Sequence, residues 1–310
     1  MIAVGGFNTS IDKALDLDDL RPGAVHRVRR AQAWPGGKGL HVAATAAALG
    51  EPVVLVGLID SAHRRQFEDV LGARGVEFEG VETRSGLRTC LALRDQGGAR
   101  ITEILEPGPE LDAETQEELR ARFVAAARRS ALAVLSGSAP PGFDDGVYGR
   151  LVASLREDGV RCLVDASGGL LRRAVEARPS LVKPNREEAE ALTGQTVDGP
   201  AAAARVARAL VTRGIETVIV SLGAAGAVAA SGGRVLHGSV SVPGAVHPVG
   251  SGDCLLGGVA VALTRGEGLD DVLRLGVACG AANTMTAETG WVRREDVDAL
   301  APRVSVTQVG

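Results

Sequence analysis

The stretch HPVGSGDCLLGGVAVAL, residues 247–263, sets two requirements at once. From Cys254 onward the predicted helix is apolar on every side, the pattern of a helix packed inside a protein. One carboxylate, Asp253, stands at its start behind Gly250-Ser251-Gly252. A buried charge is costly unless something compensates it. Glycines at 250 and 252 let the backbone turn sharply and present N–H groups at a helix start, an arrangement that binds anions. A carboxylate beside such a nest repels the anion, which is odd for binding alone. It makes sense if Asp253 accepts a proton from a group attacking that anion. The competing reading is an ordinary aspartate helix cap.

Outward from this helix, short β-rich runs alternate with helical patterns. Strands are predicted at 2–7, 53–58, 132–136, 162–165, 181–183 and 217–221, and helices at 39–49, 64–74, 113–129, 144–157 and 201–212. Such alternation argues for an α/β fold with a mostly parallel sheet covered on both faces. Sheets of this kind bind ligands beyond the carboxyl ends of their strands. Residues 14–33 and 87–105 break the pattern with β-like runs (RTCLAL and RITEIL among them) and no helix between. They predict an antiparallel flap outside the main sheet. The last third is helical, at 254–264, 269–288 and 294–300. With no internal repeat or linker, the expectation is one α/β domain over residues 1–310 with a small β lid.

Composition agrees with a large core. The 310 residues are 45% hydrophobic with 41 glycines, and only 3% aromatic, so Ala, Val and Leu must fill the interior. The net charge of −4 and the lack of a basic stripe disfavour nucleic acid and favour a small-molecule partner. Cys90, Cys162, Cys254 and Cys279 form no CxxC pair and read as buried thiols of a reducing compartment. The start MIAVGGFNTS lacks the features of a signal peptide, and no unbroken apolar stretch reaches membrane-spanning length. A cytoplasmic protein without a membrane partner is expected. Among 34 basic residues only Lys13, Lys38 and Lys183 are lysine, and asparagine occurs only at 8, 185 and 283. In so Arg-biased a chain, a retained lysine marks a place that needs a compact point charge.

Three further stretches could carry chemistry. In WPGGKGLHVAATAAALG, residues 34–50, paired glycines and Lys38 open an Ala-rich helix, a second phosphate cradle. It is not a Walker A loop, because Gly39 replaces the Ser or Thr that follows the lysine there. In SLVKPNREEAEALTG, residues 180–194, a strand runs into Pro184 and Asn185 and then an acidic helix start. Asn185 and Glu188 offer an amide oxygen and a carboxylate that suit Mg²⁺ reached partly through water. The same pair also reads as a helix cap. In VIVSLGAAGAVAA, residues 218–230, a strand precedes Gly223 and Gly226, either approaching a nucleotide or forming a plain hairpin-like turn. No GxGxxG follows a strand, so a dinucleotide fold is disfavoured.

Taken in order, NTSID, GGKG, LRTCLAL, TEILEPGPEL, LSGSAPPG, KPNREE and GSGD resemble the motifs of the ribokinase-like (PfkB-type) carbohydrate kinases. The likeness covers essentially the whole chain, and its nearest part is the branch containing 1-phosphofructokinase and tagatose-6-phosphate kinase. It implies a three-layer α/β/α sandwich with a β lid. The implied activity is ATP- and Mg²⁺-dependent phosphorylation of a ketohexose phosphate, fructose 1-phosphate or tagatose 6-phosphate, to a bisphosphate. By this resemblance Asp253 is the general base, and Gly250, Ser251 and Gly252 stabilise the group in transfer. Asn185 and Glu188 match the Mg²⁺-linked pair, while Ser221, Gly223, Gly226 and Asn283 fall where the nucleotide binds beside Asn185. Asp12 would hold sugar hydroxyls. Lys38 and Arg88 would hold the phosphate already on the sugar, Arg27 is a weaker candidate for it, and Gly37 and His41 belong to the same substrate site. Pairing of lids into a homodimer is also implied.

Two departures stand out from the branch pattern. Thr9 and Ser10 replace Pro and Ala of NPAID, and His41 replaces the Asn that follows GGKG and a hydrophobic residue. His41 is therefore expected to bear on which epimer is preferred. Two alternatives stay open: a kinase of an unphosphorylated sugar or nucleoside on the same fold, and a catalytically silent sugar-phosphate sensor.

Overall fold

A computed structural model describes residues 1–95 and 100–309, so positions 96–99 of the second lid segment lie outside the described residues. The chain opens with β1 (Ile2–Gly6), β2 (Ser10–Asp16), β3 (Arg30–Gly36), α1 (Lys38–Ala48), β4 (Val53–Ile59), α2 (Arg64–Ala73) and β5 (Val76–Glu82). Next come β6 (Arg88–Asp95), β7 (Arg100–Leu105), α3 (Ala113–Arg128), β8 (Leu132–Ser136), α4 (Val147–Glu157), β9 (Cys162–Asp165) and α5 (Gly168–Glu176). They are followed by β10 (Leu181–Val182), α6 (Arg186–Thr193), α7 (Pro200–Val211), β11 (Thr217–Ser221), β12 (Ala227–Ser231) and β13 (Arg234–Ser239). The chain finishes with α8 (Ser251–Thr264), α9 (Leu269–Asn283), α10 (Arg294–Leu300) and β14 (Ser305–Gln308).

Ten strands form one sheet in the order β14-β13-β12-β11-β10-β9-β8-β1-β4-β5. From β11 to β5 every pairing is parallel, whereas β12, β13 and β14 add an antiparallel edge. The central strands β1, β4 and β8 are buried along their whole length. That matches their continuous apolar sequence, since a strand covered on both faces needs no polar alternation. Helices α1, α8 and α9 pack together on one face, and α3 through α7 follow one another across the other. Helix α8 is buried from Asp253 to Ala262, as its all-round apolar sequence requires. Among the described residues no helix is long and apolar enough to cross a membrane.

Residues outside the main sheet form a second sheet in the order β3-β2-β6-β7. It is mixed, not antiparallel as expected: β2 and β6 pair in parallel between two antiparallel hairpins. Joining the two antiparallel pairs side by side through β2 and β6 sets the parallel register. The sheet also begins earlier than residue 14, so Ser10, Ile11 and Asp12 belong to it.

Two other expectations are corrected. The predicted helix 269–288 stops at Asn283, because the Asn283 side chain folds the following segment back on itself (below). The helix expected from 144 begins at Val147, because the Asp144 carboxylate accepts the Gly146 N–H at 2.7 Å and makes a turn instead. Gly223 and Gly226 lie in the turn between antiparallel β11 and β12, the hairpin-like alternative, and residues 234–239 add β13 to it.

Candidate active site

The cleft lies where the carboxyl ends of β8, β9 and β10 meet the amino ends of α1 and α8, beneath the small sheet. Its geometry depends on glycine at places where a side chain would not fit. A Cβ at Gly39 would come within 2.4 Å of Gly6 Cα, so glycine lets the start of α1 lie directly on β1. A Cβ at Gly36 would overlap the Asp12 carboxylate at 2.1 Å, so that glycine makes the space Asp12 occupies. Gly37 caps α1 at φ 106°, a left-handed value that glycine adopts without strain.

Helix α8 starts from Gly250, at φ 83°, with no side-chain cap. The Ser251 N–H donates to Pro248 O at 3.1 Å, and the Asp253 and Cys254 N–H groups donate to Gly250 O. The Gly252 N–H has no acceptor among the described residues, which leaves it for an anion at the positive end of the helix. Below it, Lys183 is 3% exposed and pairs with Asp165 at 3.0 Å. A Cβ at Gly252 would lie 3.5 Å from Lys183 Nζ, so this ammonium sits directly under the α8 turn.

Three titratable groups are joined across the cleft. His41, one turn into α1 and 6% exposed, places Nδ1 2.9 Å from Asp253 Oδ2 and Nε2 3.3 Å from Asp12 Oδ2. Burial alone would depress the imidazole, but hydrogen bonds and charge from Asp12 and Asp253 push it up to about 10. Burial would raise Asp12; the His41 contacts, the Ser10 hydroxyl at 2.6 Å and the charge of Arg88 hold it below its usual value. Lys38 is open to solvent at the cleft floor. The charge of Asp165 raises it against the opposing effect of desolvation, with Asp253, Glu188 and Glu103 adding to the rise.

Not every expected residue faces the cleft in the expected way. Asn185 and Glu188 close a capping box on α6: Asn185 Oδ1 accepts the Glu188 N–H at 2.8 Å, and Glu188 Oε2 accepts the Asn185 N–H at 2.9 Å. Burial nonetheless raises the Glu188 carboxyl, with the Asn185 N–H and the two lysines opposing and Asp165 adding to the rise. Asn283 is fully buried, donating to Val249 O and Ser251 Oγ and accepting from the Trp291 N–H. It therefore shapes the α8 turn and presents no amide atom to a ligand. Gly226 serves the hairpin, since a Cβ there would come within 2.0 Å of Gly238 O; Gly223 has open space beside it, and Ser221 ends β11 next to Asn185. Arg88 donates from Nε to Asn8 O at 3.0 Å and from Nη1 to Glu106 O at 3.3 Å, which fixes its guanidinium near Asp12. Arg27 is exposed in the connection between β2 and β3 and makes no ion pair among the described residues. Nothing in the fold draws it to Arg88 or Lys38.

Several residues that the motif reading passed over belong here. Asp165 and Lys183 form the buried pair under α8, and the rarity of lysine was the available signal for Lys183. Glu103 of β7 is solvent-exposed, and its carboxyl is raised by partial desolvation first and then by the charges of Asp12 and Asp253. Asn8 donates to Pro107 O and to Ser138 Oγ, both at 2.9 Å, while its Oδ1 is buried without a partner. That oxygen lies against the Gly108 backbone, where a Cβ would come within 2.4 Å of it, so Asn8 ties the 107–108 loop to the end of β8.

Comparison with known proteins gives a consistent picture. The family model described as pfkB family carbohydrate kinase matches residues 4–291. A tagatose-6-phosphate kinase of Staphylococcus epidermidis is 28% identical over 312 residues, covering all of both chains. The crystal structure of phosphofructokinase-2 from Escherichia coli in complex with substrates and products is 26% identical, with a TM-score of 0.91 over 97% of this chain and 98% of that one. A ribokinase from Thermotoga maritima, at 20% identity, shares the fold with a TM-score of 0.78 over 97% of this chain and 99% of that one.

Proposed function

The chain belongs to the pfkB family of carbohydrate kinases, and on that premise we propose that it moves the γ-phosphoryl group of ATP to a hydroxyl of a ketohexose monophosphate. The observation that carries this reading is the uncapped start of α8, with an amide free at Gly252, a buried lysine beneath it and the Asp253 carboxylate one residue on. Phosphoryl transfer needs positioning and charge stabilisation more than covalent chemistry. Asp253 Oδ1, the oxygen turned away from His41, takes the proton as the sugar oxygen bonds to the γ-phosphorus. The bond from that phosphorus to the bridging oxygen breaks, and ADP leaves. The Gly252 N–H stabilises the phosphoryl oxygens in the transition state.

Lys38 is assigned to the phosphoryl group in transfer, because its strongest neighbours are Asp165 and Asp253. Arg88 is assigned to the phosphate already on the sugar, because it is fixed next to Asp12 and Asn8. The likeness to a tagatose-6-phosphate kinase supports tagatose 6-phosphate as acceptor, and the LSGSAPPG and KPNREE motifs suit fructose 1-phosphate equally. Among the described residues no cluster of three or more His, Cys, Asp or Glu could cage a metal. Glu188, half-buried with one oxygen outside the capping box, fits a Mg²⁺ held mainly by water and substrate phosphates. With Asn185 beside it, such an ion would neutralise charge on the nucleotide phosphates. Val25, Val28, Ile104 and Leu105 are large exposed apolar residues on or beside the small sheet. They support a homodimer formed through that sheet, which would act as a lid.

³¹P NMR of the reaction with tagatose 6-phosphate or fructose 1-phosphate, ATP and Mg²⁺ tests the reading. A second phosphate ester on the sugar, growing as the γ signal disappears, is expected. Loss of the γ signal to inorganic phosphate alone would reject it.

A further inference from the structure

His41 contacts two carboxylates that the proposed chemistry uses separately, Asp253 for the proton and Asp12 for sugar hydroxyls. A neutral imidazole has one N–H and can donate to only one of them, whereas an imidazolium donates to both. The ring nitrogens lie 2.9 Å from Asp253 and 3.3 Å from Asp12, each to the Oδ2 oxygen. The ring itself is closely backed by glycine backbone. A Cβ at Gly290 would fall 2.0 Å from His41 Cγ, and a Cβ at Gly250 would fall 2.5 Å from Gly290 N. The turn that opens α8, the backbone at Gly290 and the imidazole are thus stacked in contact.

We propose that His41 is a positioning residue whose doubly protonated ring bridges Asp12 and Asp253, fixing the base in place and aiming its free oxygen at the acceptor hydroxyl. The inference rests on the reading of Asp253 as proton acceptor. It also bears on selectivity. An asparagine at this place would have an amide to offer the sugar, whereas both His41 ring nitrogens already face carboxylates, so sugar hydroxyls must be met by other groups, Asp12 among them.

The charges around the ring come from every side. Asp12 on β2, Arg88 on β6 and Glu103 on β7 face it from the small sheet, Asp253 from α8, and Lys38 from its own helix. Glu288, in the segment that carries Gly290, is paired with Arg74 and is compensated there. The remaining balance around His41 is carboxylate-rich, in keeping with a ring that stays charged up to about pH 10. Such a group stabilises the fold fully below its unfolded value of 6.5, and that contribution is lost as pH rises through about 10.

The test pairs a pH profile with a direct view of the ring. In His41→Asn the two carboxylates face each other without a cation, and one of them must hold a proton to higher pH. The acid limb of kcat/KM should move up by about one to three pH units, while KM for ATP changes little. A merely structural histidine would lower activity without moving that limb. Independently, ¹⁵N NMR of the wild-type chain should show both His41 nitrogens protonated at pH 8, and Asp253→Asn should lower the pH at which the ring titrates. A neutral ring at pH 8, or an acid limb in His41→Asn that superimposes on the wild type, would overturn the proposal. If the wild type releases no ADP with any sugar phosphate, the kinase reading fails on its own, and the ring titration still decides the bridge. Should His41→Asn not fold, the Asp253→Asn titration carries the test.

Discussion

Helices α6 and α8 begin alike and end up doing opposite things. Both follow a turn above the carboxyl ends of the sheet, and both carry an acidic residue in the first turn. In α6, Asn185 and Glu188 satisfy each other's backbone amides, so the helix start is closed by its own side chains. In α8 the preceding residue is glycine, no side chain reaches back, and Asp253 points to His41. One start has its hydrogen bonds met within the protein, and the other keeps an amide and a carboxylate for something else. A capped start tells mainly about stability, an uncapped one over a buried lysine about a ligand.

The sharpest way to break this contrast is Asp253→Asn, which keeps the shape of α8 and removes the proton acceptor. A fall in kcat of about 10²–10⁴ is expected, with ATP affinity nearly unchanged, as steady-state rates and nucleotide titration would show. A mutant with near-wild-type kcat would reduce Asp253 to a helix-start carboxylate like those of α6.

Lys38 and Arg88 divide the cleft next. Removing a charge-assisted contact costs about 1.5–3 kcal/mol, roughly tenfold to a hundredfold in the parameter it governs. Lys38→Ala should lower kcat by that factor, and Arg88→Ala should raise KM for the sugar phosphate by it while sparing KM for ATP. If Lys38→Ala raised only the sugar-phosphate KM, both cations would belong to the acceptor's phosphate.

The smallest effect comes from Glu188→Gln. Glutamine closes the same capping box, so the melting temperature should hold while the Mg²⁺ concentration for half-maximal rate rises about threefold to tenfold, the lost charge being worth only part of the ion's shell. An unchanged Mg²⁺ titration would leave the pair as a cap and nothing more.

Much of this was legible in the sequence, for physical reasons. Continuous apolar runs fixed the buried strands β1, β4 and β8, and an all-round apolar helix could only be α8. The GGKG and GSGD glycines marked both helix starts, because close backbone approach leaves few substitutes. What escaped was long-range. The bridge from His41 to Asp12 and Asp253 joins residues 29 and 212 apart in sequence, and no periodicity reports it. The parallel β2–β6 pairing likewise arises from docking two hairpins, not from either one. Gly226 sits in a suggestive motif and Asn283 is one of only three asparagines, yet their contacts are internal, and sequence alone does not separate a residue that shapes a turn from one that touches a ligand.

The central claim is that the cleft selects a sugar already carrying a phosphate. Coupled ADP release at fixed ATP and Mg²⁺, comparing tagatose 6-phosphate and fructose 1-phosphate with free tagatose and fructose, tests it most directly. The account predicts kcat/KM at least about tenfold higher for a monophosphate than for its free sugar, the worth of one charge-assisted contact at Arg88. Equal values for the phosphorylated and free sugars would contradict it.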